Sequence, residues 1–561
     1  MNVVSNMSIV TPVIGQALEQ VVRHLQFETG LFLQTARSRL GSRPDRASKK
    51  ACKPNAYVAR FGGKTRIASA VSALLLGPAL SGCILGTERP EFDLDIPAAY
   101  REAGRSAPDG ALPALDWWRG FRSRELTTLM EAAQIYNLDI AVAVAQIAQA
   151  DAKVGMSGAP LLPSVTGAAT TEFDHFGSSN VGGAGTGSGV GTGGSRVGGG
   201  IIRDGSSSSQ YNLGLTASYM LDFWGKNRAT LYAAEESATV ARYNREVVTL
   251  TTIVTVANTY FQVLAAQDEL RVARRNLAAA ERILTLIKQQ VAGGTASQLD
   301  LSQQEALVAT VRASIPPLEV TLRQSIAALA LLVARAPANF NVNGGGFAQL
   351  TVPRVTPGLP SELLYQRPDV RQAEAQLASS NFSVESARAA FFPQIQLTGT
   401  TGVQSAALAA LFGPGAWYYT LAAGLTQPLF DGFLLESQLK QAKGVQVQNL
   451  QAYRKAVLSA FTDVEKALVA LAQFTRQEKL QADAVAASRK AFDVSETQFR
   501  EGTVNLLTVL QTEQTLFTAE NTLVLVRLSK FRAASSLFQA LGGGWTPDTK
   551  LSSLQNGKTR P

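Results

Sequence analysis

The chain has 561 residues, 46% apolar and 17% charged, with 47 Gly and 22 Pro, which allows a large core and excludes a collagen, a wholly disordered chain and a disulfide scaffold. Two His, two Cys and five Met leave little material for a soft-ligand metal site or for histidine acid–base chemistry, so an enzyme is disfavoured. Of the net charge of +9, a net +8 lies in residues 1–82, so the nearly neutral remainder lacks the basic surface of a nucleic-acid binder.

Residues 60–82 have the pattern of an export signal. Three cations, Arg60, Lys64 and Arg66, precede an apolar run at 67–80 that ends in small residues. A helix needs about 20 apolar residues to span a bilayer, so this run predicts a cleaved signal peptide and no membrane anchor. Residues 1–59 carry no periodic pattern, and we interpret them as a mis-assigned or non-functional extension.

Cys83 directly follows the predicted cleavage site, and Leu80-Ser81-Gly82-Cys83 resembles the bacterial lipobox. The resemblance implies that Cys83 is the lipidated N-terminus of the mature chain; the alternative is an ordinary small cysteine beside a cut. Ile84 follows in place of Asp, which by resemblance to lipoprotein sorting favours the outer membrane. Because Cys52 precedes the cut, the mature chain is expected to have no disulfide.

Four segments of the mature chain read as strands, because they alternate in polarity and are rich in Thr, Val, Leu and Tyr. Ala-rich helical patterns precede the two strand pairs, and the strands are predicted at 163–175, 210–223, 393–404 and 416–430. Between the first two lies the Gly/Ser-rich stretch 177–209, which is predicted to be an unpacked extracellular loop. Interpretation as a phosphate cradle is disfavoured because the spacing and the Lys of a P-loop are missing.

A long helical pattern without Pro follows each strand pair, at 226–291 and 433–499, and a helix of that length extends on the order of 100 Å. Coiled-coil spacing predicts close packing between these helices. The residues spaced by seven are Leu270, Leu277, Leu284 and Val291, with Ala273, Ala280 and Ile287 between them, then Val485, Phe492 and Phe499, and Leu510, Phe517, Val524, Phe531 and Phe538. Glycines turn the chain into return helices, and Pro316-Pro317 is expected to interrupt the first of these.

The two halves repeat one plan, since Gln290-Val291-Ala292-Gly293-Gly294-Thr295 recurs 208 residues later around Gly502-Thr503. The predicted organisation is an N-terminal segment with the first helices at 83–162, a β-hairpin at 163–224, a helical hairpin at 225–336, a linker at 337–368, a helix at 369–392, a second β-hairpin at 393–430, a second helical hairpin at 431–541 and a tail at 542–561.

Four strands form a sheet with two open edges, and an edge exposed to lipid leaves backbone groups unpaired at several kcal/mol each. Since even the smallest barrels have about eight strands, four strands per chain require association, and three chains would give twelve. Aromatic residues near the strand ends are typical of interface girdles, although ordinary core packing would also explain them. They are Tyr211, Tyr219, Phe223, Trp224, Trp417, Tyr418, Tyr419 and Phe430.

Several short motifs resemble the TolC-like outer membrane efflux protein family, in its NodT-type lipoprotein branch. They are Asp116-Trp117-Trp118, Asn137-Leu138-Asp139-Ile140, Gly358-Leu359-Pro360-Ser361, Arg367-Pro368-Asp369-Val370, Ala389-Ala390-Phe391-Phe392-Pro393 and Gln427-Pro428-Leu429-Phe430. The resemblance implies a trimeric channel with a twelve-stranded transmembrane barrel, four strands from each protomer, on a periplasmic α-helical barrel. It also implies a tripartite pump with a periplasmic adaptor and an inner-membrane transporter, often proton-driven.

The resemblance further implies a gate at the periplasmic helix tips. Family members place aspartates where this chain has Thr508 and Gln511, so the constriction is expected to be weaker or moved to Asp300, Glu501 or Glu513, although a solvated helix end would also explain Glu501 and Glu513. The matching adaptor-docking tips contain Gly293, Gly294, Thr295, Gly502, Thr503 and Asn505.

No catalytic constellation or cofactor is predicted, and Asp369 and Glu374 are interpreted as helix-capping and interhelical residues. The predicted function is a passive outer-membrane duct for small molecules such as drugs and toxic compounds. Two alternatives use the same sequence features: the duct of a type I protein secretion system, and a structural or adhesive coiled-coil lipoprotein.

Overall fold

A computed structural model of the chain describes residues 114–175, 207–353, 360–543 and 545. The predicted signal peptide, Cys83 and most of the Gly/Ser-rich stretch lie outside these residues.

The chain alternates helices with two pairs of strands. The helices are α1 (Arg124–Tyr136), α2 (Leu138–Gly158), α3 (Lys226–Ala292), α4 (Gln298–Leu332), α5 (Pro360–Gln366), α6 (Pro368–Ala389), α7 (Leu434–Arg500) and α8 (Leu506–Ala540). The strands are β1 (Ser164–His175), β2 (Ser207–Leu221), β3 (Gln394–Ser405) and β4 (Trp417–Thr426). These bounds confirm the predicted strands and long helices to within a few residues.

The four strands form one antiparallel sheet in the order β1-β2-β3-β4. The central pairing joins the two halves of the chain, with Tyr211 opposite Ser405 and Leu221 opposite Ile395. Strands β1 and β4 therefore form the two edges of the sheet, and the presence of two open edges agrees with the sequence-based prediction.

The sheet has two chemically different faces, because paired residues share a face and successive residues alternate. One face is mainly apolar and carries exposed side chains, among them Leu213, Leu215, Leu397, Trp417, Tyr419, Leu421 and Leu425. The other face carries Ser, Thr, Asn and Gln together with Glu172 and Asp174, the acidic residues of the strands. This pattern is typical of a barrel wall with lipid on one side and water on the other.

The predicted aromatic group divides between these environments. Trp417 and Tyr419 are exposed on the apolar face, whereas the hydroxyl of Tyr418, on the polar face, donates to Asn212 Oδ1 at 3.1 Å. Trp224 instead stacks on Phe392 with ring centroids 4.7 Å apart and donates its indole N–H to the Pro393 carbonyl. Trp224 and Phe392 therefore lie where helices α3 and α6 meet strands β2 and β3.

The helices reproduce the internal repeat residue by residue. Helices α3 and α7 each have 67 residues, and helices α4 and α8 each have 35. Their starts lie 208 residues apart, which is the offset of the repeated motifs. The chain therefore contains two copies of one unit, each made of a strand pair, a long helix and a shorter return helix.

The main core lies around α3, which packs against α1, α2, α4, α6 and α8. The Asp-Trp-Trp motif belongs to it: Trp117 stacks on Phe538 at 4.7 Å, and Phe121 is fully buried against Phe261 and Phe531. By length and composition α3 is a candidate membrane span, but 56% of its most apolar window is buried, which is typical of a core helix.

The heptad positions are buried to different degrees. Ala273, Ala280 and Ile287 of α3 are fully buried, whereas Leu277 and Leu284 are half-buried. A second cluster near the ends of the hairpins joins α3 to α7 and α8, and its buried members are Ile283, Ile287, Phe492, Phe499, Leu506, Val509 and Leu516. The two hairpins are thus held together by apolar contacts close to their tips.

The expected interruption at Pro316-Pro317 was wrong, because α4 runs continuously through both prolines. A proline lacks the N–H that would bond four residues back, so the carbonyls of Arg312 and Ala313 lose their helical donors. The Ser314 hydroxyl donates to the Val311 carbonyl in this turn at 2.7 Å. Packing of α4 along α3 maintains the helix across the missing bonds.

Candidate gate and docking tips

The first tip joins α3 to α4 in a tight reversal. The amide of Gly294 donates to the Val291 carbonyl at 3.0 Å, and the amide of Thr295 donates to the Gln290 carbonyl at 2.8 Å. The Thr295 hydroxyl donates to the same carbonyl at 3.0 Å. The last carbonyls of α3 are therefore satisfied within the turn, as in a Schellman ending.

The second tip has the same hydrogen bonds. The amide of Gly502 donates to the Phe499 carbonyl at 3.1 Å, and the amide of Thr503 donates to the Gln498 carbonyl at 2.9 Å. The Thr503 hydroxyl again reaches the carbonyl of Gln498, at 3.0 Å. The repeat thus extends to individual hydrogen bonds.

Glycine is required at the centre of each tip by backbone conformation. Gly294 has φ +74° and Gly502 has φ +73°, a left-handed conformation in which a Cβ is strained. No other atom lies within 4 Å of a Cβ placed at either residue, so crowding does not select glycine there.

Asp300 lies at the start of α4, where it completes a capping box. Its Oδ2 accepts from the Ser297 amide at 3.0 Å and from the Ser297 hydroxyl at 2.7 Å, while the Ser297 Oγ accepts from the Asp300 amide. The carboxylate also lies at the positive end of the helix. This capping role is observed within one chain, and the predicted gate role of Asp300 stays a prediction.

Thr508 occupies the matching position at the start of α8. Asn505 is the N-cap there, and its Oδ1 accepts from the Thr508 amide at 3.0 Å and from the Thr508 hydroxyl at 2.8 Å. Gln511, one turn further along, is exposed. The two predicted gate positions therefore carry neutral polar groups, and the Thr508 hydroxyl already donates a hydrogen bond within the helix cap.

Each of the predicted docking turns, 293–299 and 501–507, also ends in an exposed leucine. Leu299 is 65% exposed and Leu507 is 54% exposed, and the two residues lie 208 positions apart. The signal was present in the repeat, because a leucine follows the cap two residues later in both halves. These side chains give the tips an apolar component beside their polar caps.

Glu513 differs from the solvated helix end that was one interpretation of it. It is 7% exposed, and neither carboxylate oxygen has a hydrogen-bond partner among the described residues. Burial raises the pKa of Glu513 to about 7, with the Glu496 carboxylate acting in the same direction and Arg282 opposing it. Glu501, by contrast, is exposed at the tip.

The carboxylates considered for catalysis are engaged in structural ion pairs. Arg367, the N-cap of α6, contacts Asp369 at 2.6 Å and Asp463 of α7 at 3.2 Å, and Arg371 contacts Glu374 at 2.6 Å. Asp369 and Glu374 thus pair with arginines of their own helix, and the ion pair between helices is the one that Arg367 makes with Asp463. Asp369 lies in the first turn of α6, which has no side-chain cap hydrogen bond. Within the described ranges no group of three or more His, Cys, Asp or Glu is placed to hold a metal ion.

Comparisons with known proteins agree with this geometry. The chain matches the model of the outer membrane efflux protein family over residues 129–335 and 359–543. It is 35% identical over 485 residues to the pyoverdine export outer membrane protein OpmQ of Pseudomonas aeruginosa, which covers 86% of this chain and 97% of OpmQ. It is 33% identical over 338 residues to the toluene efflux pump outer membrane protein TtgF of Pseudomonas putida, covering 60% of this chain and 70% of TtgF.

Among solved structures, the outer-membrane channel OprN superposes with a TM-score of 0.73 at 24% identity, covering 82% of this chain and all of OprN. The similarity shows that the two chains share a fold.

Proposed function

This chain belongs to the outer membrane efflux protein family, and we propose that three copies of it form the outer-membrane duct of a tripartite efflux pump. The family and the relatives are outer membrane proteins of efflux systems, which supports the outer membrane as the location of this chain and efflux as its function. The duct is passive, and the energy for transport comes from an inner-membrane transporter.

The observation that carries this proposal is the four-stranded sheet. It has one exposed apolar face, one polar face and two edges, β1 and β4, that have no partner strand within the described chain. Open edges in a bilayer are costly, and a closed barrel removes them. Pairing β4 of one copy with β1 of the next closes twelve strands around a water-filled lumen.

The helical hairpins support the second part of the proposal. They continue from the strand ends for on the order of 100 Å, far beyond the thickness of a membrane. Their tips, with exposed Leu299 and Leu507 beside the caps, are the surfaces on which a periplasmic adaptor docks. The adaptor in turn links the duct to a transporter of the proton-driven resistance-nodulation-division type.

Cargo and anchoring complete the proposal. Relatives named for pyoverdine export and toluene efflux support small molecules as the cargo, in preference to secreted polypeptides. Cys83 carries lipid and fixes the mature N-terminus to the outer membrane.

Two neighbouring residues of β4 test which face contacts lipid. Leu421 lies on the apolar face and is 80% exposed, whereas Thr420 lies on the polar face. An arginine on the lipid face of a barrel costs roughly 2–4 kcal/mol near the bilayer midplane. Leu421→Arg should therefore sharply reduce the amount of assembled channel in the outer membrane.

Thr420→Arg is the matched control, because its side chain would face the lumen. It should leave the amount of assembled channel near the wild-type level and change the single-channel conductance in planar bilayers. Equal loss of assembly in both variants, or in neither, would contradict the proposed orientation.

A further inference from the structure

A layer of charges joins α8 to both α3 and α7 near the tips. Glu520 of α8 is almost fully buried and contacts Arg489 of α7, while Arg275 of α3 lies 4.0 Å from it. The carboxylate thus has a cation from each neighbouring helix. This arrangement ties the second hairpin to the first.

One heptad closer to the tips, the same layer is built differently. Glu513 takes the place of Glu520, and Arg282 takes the place of Arg275, but Glu496 stands where α7 has Arg489. Glu513 is as buried as Glu520, yet both of its oxygens lack a hydrogen-bond partner among the described residues. The charged groups that face it are Glu496 from α7, which is paired with Arg500, and the exposed Arg282 from α3.

A carboxylate in this position fits the observed packing only when it is uncharged. An ionised carboxylate buried without a partner is strongly disfavoured, and a like charge nearby adds to the cost. The surrounding apolar cluster, which includes Phe492, Val509 and Leu516, supplies no hydrogen-bond donor.

We propose that Glu513 makes the packing of the second tip depend on pH. Uncharged, it lies in the seam between α8, α7 and α3; once ionised, it leaves the seam, and the second hairpin loosens from the first. This switch goes beyond the proposed duct function. Only its consequence rests on that function: in a duct, the entrance would be more tightly packed in acidic surroundings.

The direction follows from proton linkage. The pKa of Glu513 is raised from 4.5 to about 7 in the folded chain. The packed tip therefore has its full stability below about pH 4.5 and loses this contribution as the pH rises through 7. Between about pH 5.5 and 8, local opening of the tip should increase on the order of 20-fold.

Amide hydrogen exchange on the full-length trimer in detergent tests the proposal. Protection of residues 506–516, corrected for the intrinsic pH dependence of exchange, should fall on the order of 20-fold over this range in the wild type. In Glu513→Gln, which is uncharged at every pH, protection should stay constant. Residues 298–308 of the first tip provide the internal control and should change little.

Glu305 provides the matched variant, since it lies 208 positions before Glu513, is exposed and pairs with Lys288 at 3.7 Å. Glu305→Gln should retain the wild-type pH dependence of the second tip. Two further substitutions should move its midpoint in opposite directions: Arg282→Gln to higher pH, because a cation that lowers the pKa is removed, and Glu496→Gln to lower pH.

Protection at residues 506–516 that is independent of pH in the wild type would overturn the proposal, as would midpoints unchanged by both Arg282→Gln and Glu496→Gln. Conductance of the same preparations in planar bilayers is a separate readout. Channels that conduct without a pH-dependent tip would refute the switch alone, whereas a pH-dependent tip in a protein that never conducts would refute the duct.

Discussion

Individual residues at the tips determine how strongly the entrance of the proposed trimer would attract ions. Thr508 and Gln511 are neutral, and Thr508 already donates its hydroxyl to Asn505. A ring of carboxylates attracts multivalent cations, whereas neutral dipoles bind them weakly. At the gate position that the family resemblance implies, the neutral residues of this chain predict a weaker electrostatic barrier.

Restoring a carboxylate at Gln511 tests this interpretation. Gln511→Asp should increase the block of channel conductance by multivalent cations, because three carboxylates would then surround the entrance. Gln303→Asp is the matched control variant, because Gln303 lies 208 positions before Gln511, in the first hairpin, and is also exposed. Planar-bilayer recordings with equal cation block in the Gln511→Asp variant and the wild type would remove the gate from this position.

Single residues were also where prediction from sequence was weakest. The sequence leaves Glu513 as either a gate residue or a solvated helix end, because nothing in α8 alone reveals that α3 and α7 enclose it. The exposure of Leu299 and Leu507 likewise follows from the geometry of the caps and cannot be predicted from their apolar side chains. The burial of a side chain depends on neighbours that are distant in sequence, so it cannot be predicted from the segment that contains the residue.

At the scale of helices, local chemistry predicted most of the structure. The hydrophobic period, the glycine turns and the 208-residue repeat gave the lengths of α3 and α7 to within a residue or two. The exception was α4, where packing along α3 overrides the two prolines. Tertiary contacts can thus maintain a helix that its own sequence would break.

Two glycines should respond in opposite ways to the same substitution. Gly444 lies inside α7 with no atom within 4 Å of an added Cβ, so Gly444→Ala should stabilise the helix by roughly 0.5–1 kcal/mol. Gly502 has φ +73°, so Gly502→Ala should destabilise the second tip by about 1–2 kcal/mol.

Thermal unfolding followed by circular dichroism should therefore give a higher melting temperature for Gly444→Ala than for the wild type, and a lower one for Gly502→Ala. A higher melting temperature for Gly502→Ala than for the wild type would contradict the left-handed conformation of the second tip, and a lower one for Gly444→Ala would contradict the open surroundings of Gly444.

At the scale of the whole molecule, the proposed function depends on the open edges of the sheet, which one chain cannot close by itself. The sheet has one apolar and one polar face, and its edges are open within the described chain. The helices provide length, and the apolar cluster near their tips couples the two hairpins. A continuous pore requires that copies of the chain complete one another.

The most direct test is the mass of the assembled protein together with its conductance. Protein extracted from the outer membrane in mild detergent should have the mass of three chains by native mass spectrometry, and the same sample should form water-filled channels in planar bilayers. A single chain as the stable species, or a trimer that forms no channel, would contradict the account.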